Sequence, residues 1–282
     1  MAAHYQGLIE AALSEDLGEV GDLTSRFFIP ASSETTARMV AREPCVIAGI
    51  ELAREVFLTM DDRLEVSLER PSGSEIGEDG VNREAILTIS GATRSILTAE
   101  RVALNFAQRL SGVATLTRKF VDRVEGTAVR ILDTRKTTPG WRALEKEAVR
   151  MGGGYNHRMG LYDRVMVKDN HLAAESGGLE AAIRVLKAAH PEVGVELEAD
   201  TLEQVERFLE LEHVEWILLD NMSLDELRAA VRLGAGKAIE LEASGGVNLD
   251  TVRGIAETGV DCISVGALTH SAGSVDLSLD MV

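Results

Sequence analysis

The chain has 282 residues, of which 45% are hydrophobic and 27% are charged, and its formal net charge is −17 at pH 7. This composition is typical of a globular protein with a large buried core, folded as one large domain or as two of unequal size. The acidity argues against nonspecific binding to nucleic acid or to anionic membranes, because both need a positively charged protein face.

The cysteines and the apolar runs exclude further classes. Cys45 and Cys262 lie far apart in the sequence, and neither has the spacing of a metal-ligand or redox motif. No apolar stretch approaches the roughly 18 residues of a membrane-spanning helix, and the first residues lack the pattern of a secretory signal. We therefore expect a cytoplasmic protein with free thiols.

The first hundred or so residues mix helix and strand patterns, which suggests an α+β layer. Apolar residues recur at helical spacing within 5–17, and another helical pattern runs from 92 to 124. Within the second pattern we expect a break between two helices at Ser111 and Gly112. Short strand patterns lie between the two helical regions, at 35–42, 45–48, 64–68 and 85–89.

From residue 129 onwards, short apolar strand patterns alternate with helical patterns. Such alternation is typical of right-handed βαβ units with a parallel sheet, either doubly wound or closed as a barrel. Six units fall short of the eight of a full barrel, so an incomplete or distorted barrel is expected. The strand patterns lie at 129–132, 164–167, 193–197, 216–219, 238–241 and 262–265, and the helical patterns at 179–190, 201–210, 223–233 and 249–257.

Polar and reactive residues follow these strands directly. A β/α barrel assembles its active site from the loops at the carboxyl ends of its strands, so this placement favours a barrel enzyme. The residues in these positions are Asp133, Thr134, Arg135, Lys136, Lys168, Asp169, Asn170, Glu198, Asp220, Asn221, Ser244, Gly245, Gly246 and Gly266.

The segment from Asp133 to His171 differs from the rest of the chain in charge. It contains eight Lys and Arg against five acids, a net charge of +3, so the remainder carries −20. Within it, two adjacent cations at a strand end are followed by hydroxyl side chains and a Pro-Gly turn. Such a segment can bind an anion near the start of the next helix. A solvated basic loop is the alternative. Several cationic side chains are expected together at the mouth of the barrel, which favours an anion-binding site. They are Arg135, Lys136, His157, Arg158 and Lys168.

Two carboxylates are expected at the same mouth. Glu198 and Asp220 each follow an apolar strand, and a pair of acids there can hold Mg²⁺ or bind sugar hydroxyls. Capping of the following helices is the alternative interpretation, but Asp200 and Ser223 suit that role better.

Small residues follow two further strands, in the segments ASGGV (243–247) and SVGALTHS (264–271). Backbone N–H groups that precede a helix can hold a phosphate, as they do after the last strands of many barrels. Each segment taken alone is equally compatible with an ordinary turn between strand and helix.

The segment DTRKTTPGWRALEKEAVRMGGGYNHRMGLYDRVMVKDNH (133–171) closely resembles the signature of the quinolinate phosphoribosyltransferase family of NAD biosynthesis. Further segments in the same order are also similar to that family, so the resemblance extends over nearly the whole chain. They are EDLGEVGDLTS (15–25), ERVALNFAQRLSGVATLT (100–117), VELEADTLEQ (195–204), LLDNMS (218–223), EASGGV (242–247) and SVGALTHSA (264–272).

The resemblance implies a two-domain architecture. An N-terminal α+β domain with an open sheet would cover residues 1–112, and the tail 271–282 would pack back onto it. An irregular, incomplete β/α barrel over 113–270 would form the catalytic domain. A homodimer, or an assembly of dimers, is also implied, with Arg101 reaching the active site of the partner subunit.

The resemblance also implies the reaction and the residues that bind quinolinate. Quinolinate and phosphoribosyl pyrophosphate would give nicotinate mononucleotide, pyrophosphate and CO2, with Mg²⁺ as the cofactor. The residues that would hold the quinolinate carboxylates are Arg135, His157 and Arg158. The residues that would lie near the substrate and the phosphorylated groups are Lys136 and Lys168.

For the phosphoribosyl cosubstrate, the resemblance places Glu198 and Asp220 at the ribose and its Mg²⁺, directly or through the cosubstrate. With Lys136 and Lys168, these acids would form the catalytic set. The residues that would receive the 5′-phosphate are Ser244, Gly245, Gly266 and His270. The reaction needs no side-chain nucleophile, because the pyridine nitrogen attacks the ribose carbon and the protein positions and neutralises the reactants.

Three alternatives stay open at this point. The molybdenum-transport-associated paralogues resemble this family and would act on another anionic substrate. Nicotinate phosphoribosyltransferase shares the general fold but not these motifs. A non-catalytic barrel that only binds anions would bind ligands without forming products.

Overall fold

The computed structural model describes residues 2–168, 171 and 178–282. Asp169 and Asn170, which were expected to follow a strand at the mouth, lie outside the described residues. The chain divides into two compact units, Met1–Leu116 with Ala272–Val282, and Thr117–Ser271. The boundary therefore falls four residues after the one expected at 112.

The first unit contains an antiparallel sheet and helices. Its four-stranded sheet has the order β12 (Leu277–Met281), β1 (Glu34–Ala41), β5 (Ala85–Ala92) and β3 (Glu65–Leu68). Strand β12 pairs with β1 from Leu277 opposite Ala41 to Met281 opposite Ala37. The sequence patterns did not predict β12. The elements are α1 Ala2–Leu17, α2 Leu23–Phe28, β1 Glu34–Ala41, β2 Cys45–Val46, α3 Ile50–Met60, β3 Glu65–Leu68, β4 Glu75–Ile76, a 3₁₀ turn Glu78–Gly80, β5 Ala85–Ala92, α4 Thr93–Arg123 and β12 Leu277–Met281.

Helix α4 corrects one expectation, because it runs unbroken through Ser111 and Gly112. The buried Ser111 hydroxyl accepts a hydrogen bond from the N–H of Ala48 at 3.0 Å and lies 3.2 Å from its carbonyl oxygen. A β carbon at position 112 would overlap the carbonyl group of Gly273. The serine and the glycine therefore mark close packing of other backbone segments against the helix, and the helix does not end there.

The second unit is a parallel sheet with helices between its strands. The sheet has the order β6 (Arg130–Leu132), β11 (Cys262–Ser264), β10 (Glu240–Ser244), β9 (Trp216–Asp220), β8 (Gly194–Ala199) and β7 (Arg164–Val167). Strands β6 and β7, which follow each other in sequence, therefore lie at its two edges. Within the described residues no ladder joins those edges, which confirms the incomplete β/α barrel. The elements are β6 Arg130–Leu132, α5 Arg142–Met151, β7 Arg164–Val167, α6 Leu179–Ala189, β8 Gly194–Ala199, α7 Leu202–Phe208, β9 Trp216–Asp220, α8 Leu224–Gly234, β10 Glu240–Ser244, α9 Val252–Ala256, β11 Cys262–Ser264 and α10 Ala267–His270.

Strand β8 shows how this sheet divides its residues between two faces. Val195, Leu197 and Ala199 are fully buried and alternate with Glu196 and Glu198. Successive side chains of a strand point to opposite faces, so the apolar set packs on one side and both acids face the other. The sheet thereby presents charged groups on one face. Across the described residues, no helix has the length and apolar character needed to cross a membrane.

Replacing Gly112 with alanine should lower the free energy of unfolding by about 1–3 kcal/mol, because the added β carbon overlaps the backbone of Gly273. Urea denaturation of the variant measures the change. Gly7→Ala is the matched control, since Gly7 lies in α1 with no heavy atom within 4 Å of the added carbon. The control should keep or raise stability, by up to about 1 kcal/mol. Equal stability of Gly112→Ala and the wild type would contradict the packing described here.

The two thiols should be unreactive in the folded protein. Cys45 and Cys262 are free and buried, and burial raises the pKa of Cys45 to about 11 and that of Cys262 to about 12. Because the thiolate is the reactive form, Ellman's reagent at a pH of about 8 should modify neither within minutes. The control is the urea-unfolded protein, in which both should react. Rapid modification of either thiol in the folded protein would contradict its burial.

Candidate active site

A cavity of about 430 Å³ lies in the second unit, at the carboxyl ends of its strands. Alternate residues of neighbouring strands supply much of its wall, because every second side chain along a strand points to the same face. Five strands contribute Met166, Glu198, Leu218, Asp220, Glu242, Ser244 and Ser264. The adjoining loops contribute Thr134, Arg135, Lys136, His157, Arg158, Lys168, Asn221, Gly245 and Gly246.

The cations of the segment 133–171 divide into two groups. Four of them line the cavity, and these are Arg135, Lys136, Arg158 and Lys168. Others are bonded to the surrounding protein: Arg142 donates to the carbonyl of Met159 at 3.1 Å, and Lys146 is fully buried against Asp133. The positive charge of the segment is therefore only partly available to a ligand.

Arg135 and Arg158 form the most strongly cationic part of the wall. Arg158 is buried, and its guanidinium donates to the carbonyl of Arg164 at 3.1 Å and to the sulfur of Met166 at 3.7 Å. Burial, and then the charge of Arg135, lowers the pKa of Arg158. The buried Nε of Arg135 has no hydrogen-bond partner among the described residues. Two guanidinium groups that repel each other in a partly dry pocket favour an anion between them.

The acids Glu198 and Asp220 lie in the same wall, as expected for the mouth of the barrel. The ammonium group of Lys168 forms an ion pair with Glu198, and Asp220 accepts from the side-chain amide of Asn221 at 2.7 Å. Neither acid is used as a helix cap. Ser223 caps α8 as expected, whereas Thr201 caps α7 in place of the expected Asp200, each in a capping box.

Small residues at the end of β10 and directly after it line the cavity. Ser244, Gly245 and Gly246 are all part of its wall. Gly245 has a φ of +97°, and a β carbon there would overlap the side chain of Asn221. Glycine is therefore required at this turn, where the backbone can approach a ligand closely.

Three predicted site residues lie outside this wall. Gly266 is the N-cap of α10 and lies beside Lys136, since a β carbon on it would be 3.0 Å from Cδ of that lysine. His270, at the end of α10, is exposed, and its Nδ1 lies 2.6 Å from the hydroxyl of Ser271. Arg101 is exposed on α4 in the first unit. Gly266 is thus next to a cavity residue, and the ring of His270 is next to Gly266.

Two buried acids that the strand-end pattern did not indicate lie at the cavity, and Glu242 is part of its wall. Glu196 and Glu242 are both fully buried, and their carboxylates lie 3.2 and 3.4 Å from Nε2 of His157. Ser264 donates to Glu242 at 2.5 Å, and the second oxygen of Glu242 has no partner among the described residues. The signal was present in the sequence, because Glu196 lies two positions before Glu198 and so shares its face.

His157 serves as a hydrogen-bond donor to these acids. Burial by itself lowers its pKa, but the hydrogen bonds to Glu196 and Glu242 outweigh burial and raise the pKa to about 9. The N–H of Arg158 points at Nδ1 from 2.7 Å and opposes a second proton on the ring. Nε2 therefore carries the hydrogen that faces the two carboxylates.

A second polar network lies on the same face, at the amino ends of the strands. The guanidinium of Arg164 stacks on Trp216 at 3.9 Å from the ring centroid and lies 3.5 Å from Glu196. The indole N–H of Trp216 donates to Glu240 at 2.8 Å, and Arg130 pairs with the same carboxylate at 2.6 Å. These contacts compensate charges that the alternation of the strands brings to one face.

Comparison with known proteins gives matches over nearly the whole chain. Residues 22–111 match the N-terminal domain of quinolinate phosphoribosyl transferase, and residues 113–280 match its C-terminal domain. The chain is 45% identical to the nicotinate-nucleotide pyrophosphorylase [carboxylating] of Mycobacterium leprae, over 97% of the chain and 95% of that protein. It is 41% identical to quinolinate phosphoribosyltransferase [decarboxylating] 1b of Nicotiana tabacum, over 97% of the chain and 81% of that protein.

A solved structure has the same fold. The nicotinate-nucleotide pyrophosphorylase of Francisella tularensis superposes with a TM-score of 0.93 at 35% sequence identity, covering all of this chain and 97% of that one. The structural similarity, like the sequence matches, thus covers both units.

Proposed function

The chain belongs to the quinolinate phosphoribosyltransferase family, and from that membership we propose that its cavity joins quinolinate to phosphoribosyl pyrophosphate. The products are nicotinate mononucleotide, pyrophosphate and CO2, a step of NAD biosynthesis. The observation that carries the proposal is the meeting of four cations with the acids Glu198 and Asp220 in one cavity of an acidic protein.

The quinolinate side of the cavity is the part around Arg135 and Arg158. Quinolinate has two carboxylates, and guanidinium groups bind carboxylates with two parallel hydrogen bonds. The uncommitted Nε of Arg135 and the lowered pKa of Arg158 support an anion at this point. His157 contributes by ordering the backbone N–H of Arg158, which donates to its Nδ1.

The cosubstrate side is the part around β8, β9 and β10. Ser244 and Gly245 offer a backbone turn for the 5′-phosphate, with Gly266 and His270 near Lys136 completing the group. Lys136 and Lys168 then neutralise the pyrophosphate, and Lys168 exchanges its ion pair with Glu198 for the ligand. Both phosphorylated ends of the cosubstrate thus meet positive charge or N–H donors.

The acids Glu198 and Asp220 suit the ribose and a Mg²⁺ ion bound with the pyrophosphate. Carboxylate oxygens are the ligands that Mg²⁺ prefers, and Mg²⁺ commonly uses one or two of them together with substrate phosphates. Their half-buried position in the wall fits that chemistry, whereas Glu242 is fully buried. When bound, Mg²⁺ supplies positive charge that stabilises the departing pyrophosphate.

The reaction proceeds without a covalent enzyme intermediate. The pyridine nitrogen attacks the anomeric carbon, and the bond from that carbon to the pyrophosphate oxygen breaks. Glu198 and Asp220 stabilise the positive charge that develops on the ribose. The carbon–carboxylate bond beside the now cationic nitrogen then breaks, its electron pair stays on the ring carbon, and a proton takes the place of CO2. Positioning of two anions is the main contribution of the protein.

The assembly and the location belong to the same proposal. A homodimer, alone or as part of a larger assembly of dimers, would bring the exposed Arg101 of one subunit to the quinolinate carboxylates in its partner's cavity. A cytoplasmic location is supported by the two free, buried thiols, since disulfides are rare in that compartment.

The test is an assay of purified protein with phosphoribosyl pyrophosphate, Mg²⁺ and either quinolinate or nicotinate. We expect nicotinate mononucleotide and CO2 in equal amounts from quinolinate. Turnover of nicotinate without CO2 would assign the chain to another activity. Binding of quinolinate without any product would favour a non-catalytic anion-binding barrel.

Substitutions on the two sides of the cavity should have different kinetic effects. Arg135→Ala and Arg158→Ala should raise the KM for quinolinate about 10- to 100-fold, because each removes charge-assisted hydrogen bonds. Glu198→Ala and Asp220→Ala should lower kcat about 10- to 1,000-fold, because they remove stabilisation of the transition state. Arg150→Ala is the control, since Arg150 is an exposed cation of the same segment outside the cavity wall. Unchanged kinetics in all four variants would overturn the site.

Complementation tests the shared active site. Arg101→Ala and Glu198→Ala should each be nearly inactive alone. Co-expressed, they should recover up to about one quarter of the wild-type rate, because half of the dimers are hybrids with one intact site each. Co-expression of Glu198→Ala with Asp220→Ala is the control, since both changes fall in the same cavity and no intact site forms. No recovery in the first mixture would count against the role of Arg101.

A further inference from the structure

A buried ion pair lies behind the cavity wall, between Lys146 of α5 and Asp133 at the end of β6. Both side chains are completely inaccessible to solvent. Fully buried lysines are rare because removing an ammonium group from water is costly. The Asp133–Lys146 pair is not part of the cavity lining, and the proposed reaction does not use it.

The pair bonds to both backbone groups of a single residue, His157. The ammonium group of Lys146 donates to the His157 carbonyl at 3.0 Å, and Asp133 accepts from the His157 N–H at 2.9 Å. The peptide groups on both sides of His157 are thereby held by one ion pair. The N–H of Asp133 in turn donates to the carbonyl of Tyr155 at 3.1 Å, so the same two segments are also joined through their backbones.

Asn156 completes this connection. In the orientation of its side-chain amide that matches donors with acceptors, it donates to the second carboxylate oxygen of Asp133 at 2.8 Å. The same amide donates to the carbonyl of Lys146, also at 2.8 Å. The Asp133 carboxylate therefore has donors on both of its oxygens, and the segment 155–157 is tied to both β6 and α5.

Keeping this pair charged in the protein interior costs free energy, because both groups lose their contact with water. Burial raises the pKa of Asp133 to about 6, and burial also lowers the pKa of Lys146. Both shifts disfavour the charged forms. Buried ion pairs often add little or no net stability compared with apolar residues of similar volume. The benefit of the pair must then come from the geometry that it imposes.

That geometry concerns the two guanidinium groups of the quinolinate side. Arg158 directly follows His157, and Arg135 lies two residues after Asp133. We propose that the Asp133–Lys146 pair is a positioning device that holds Arg135 and Arg158 in register for the two carboxylates of the substrate. This inference rests on the proposed binding of quinolinate in the cavity. A displacement of about 1 Å between such groups is enough to impair catalysis substantially.

The test begins with Lys146→Met, which keeps the length of the side chain and removes both of its hydrogen bonds. The KM for quinolinate should rise about tenfold or more, while the KM for phosphoribosyl pyrophosphate should change less than about threefold. A loss of folded protein would instead reduce the apparent kcat and leave both KM values unchanged. The fraction of folded protein is measured by circular dichroism in parallel.

Lys187→Met is the matched control. The ammonium group of Lys187 donates to Glu215 at 2.6 Å and to the carbonyl of Val193 at 2.8 Å, the same kinds of partner that Lys146 has. Neither Lys187 nor its partners line the cavity. Its substitution should leave the KM for quinolinate within about twofold of the wild type.

The double variant Asp133→Asn with Lys146→Met separates positioning from stability. It leaves no unpaired buried charge, so its Tm should lie above that of Lys146→Met alone. It still lacks the bond to the His157 carbonyl, so its KM for quinolinate should stay raised about tenfold. A KM that returns to the wild-type value together with the Tm would overturn the inference, and this variant also serves if Lys146→Met does not fold.

The outcomes distinguish this inference from the proposed function. Wild-type protein that does not convert quinolinate would refute the proposed function. Wild-type protein that does so, while the KM for quinolinate is unchanged in Lys146→Met and in the double variant, would refute the positioning role alone.

Discussion

Parallel strands turn every second side chain to the same face, and in the second unit that face carries charged residues. Glu196, Glu198 and Glu242 all lie on it. Charge in a protein interior is tolerated only when it is paired or hydrogen-bonded. The surrounding structure meets that requirement through His157, whose ring lies between two of the acids, and through Lys168 at the rim. The geometry of the cavity follows from these pairings.

Opposite charges have different partners on this face. The buried acid Glu196 is neutralised by protein groups, such as Arg164, which stacks on Trp216 beside it. In the cavity wall, the charge of Arg135 lowers the pKa of Arg158, and the buried Nε of Arg135 has no hydrogen-bond partner among the described residues. An acidic protein thereby presents a local cationic opening. Such an opening attracts dianions and polyphosphates while the rest of the surface repels nucleic acid.

Helix α5 supports this opening from behind. Glu145 accepts hydrogen bonds from the backbone and hydroxyl of Thr138, at 2.9 and 2.8 Å. Together with Arg142 and Lys146, which bond to the segment after the helix, it ties the two loops that carry the guanidinium groups to one rigid element. For a reaction in which the protein positions and neutralises, residues that hold the loops matter as much as those that touch the substrate.

The sequence by itself determined the class of the fold and the family, and it predicted where a site would lie. Strand and helix periods follow from local patterns, and polar residues after strands indicate the mouth of a barrel. Only the tertiary structure decided which charges line the cavity. The linear count treats Lys146 and Lys168 alike, whereas the fold buries one and exposes the other. It also decided that Ser111 and Gly112 pack against other segments within an unbroken helix. Both the burial of Lys146 and the packing at Ser111 and Gly112 depend on contacts with residues that lie outside the local sequence pattern. A local pattern therefore could not predict either.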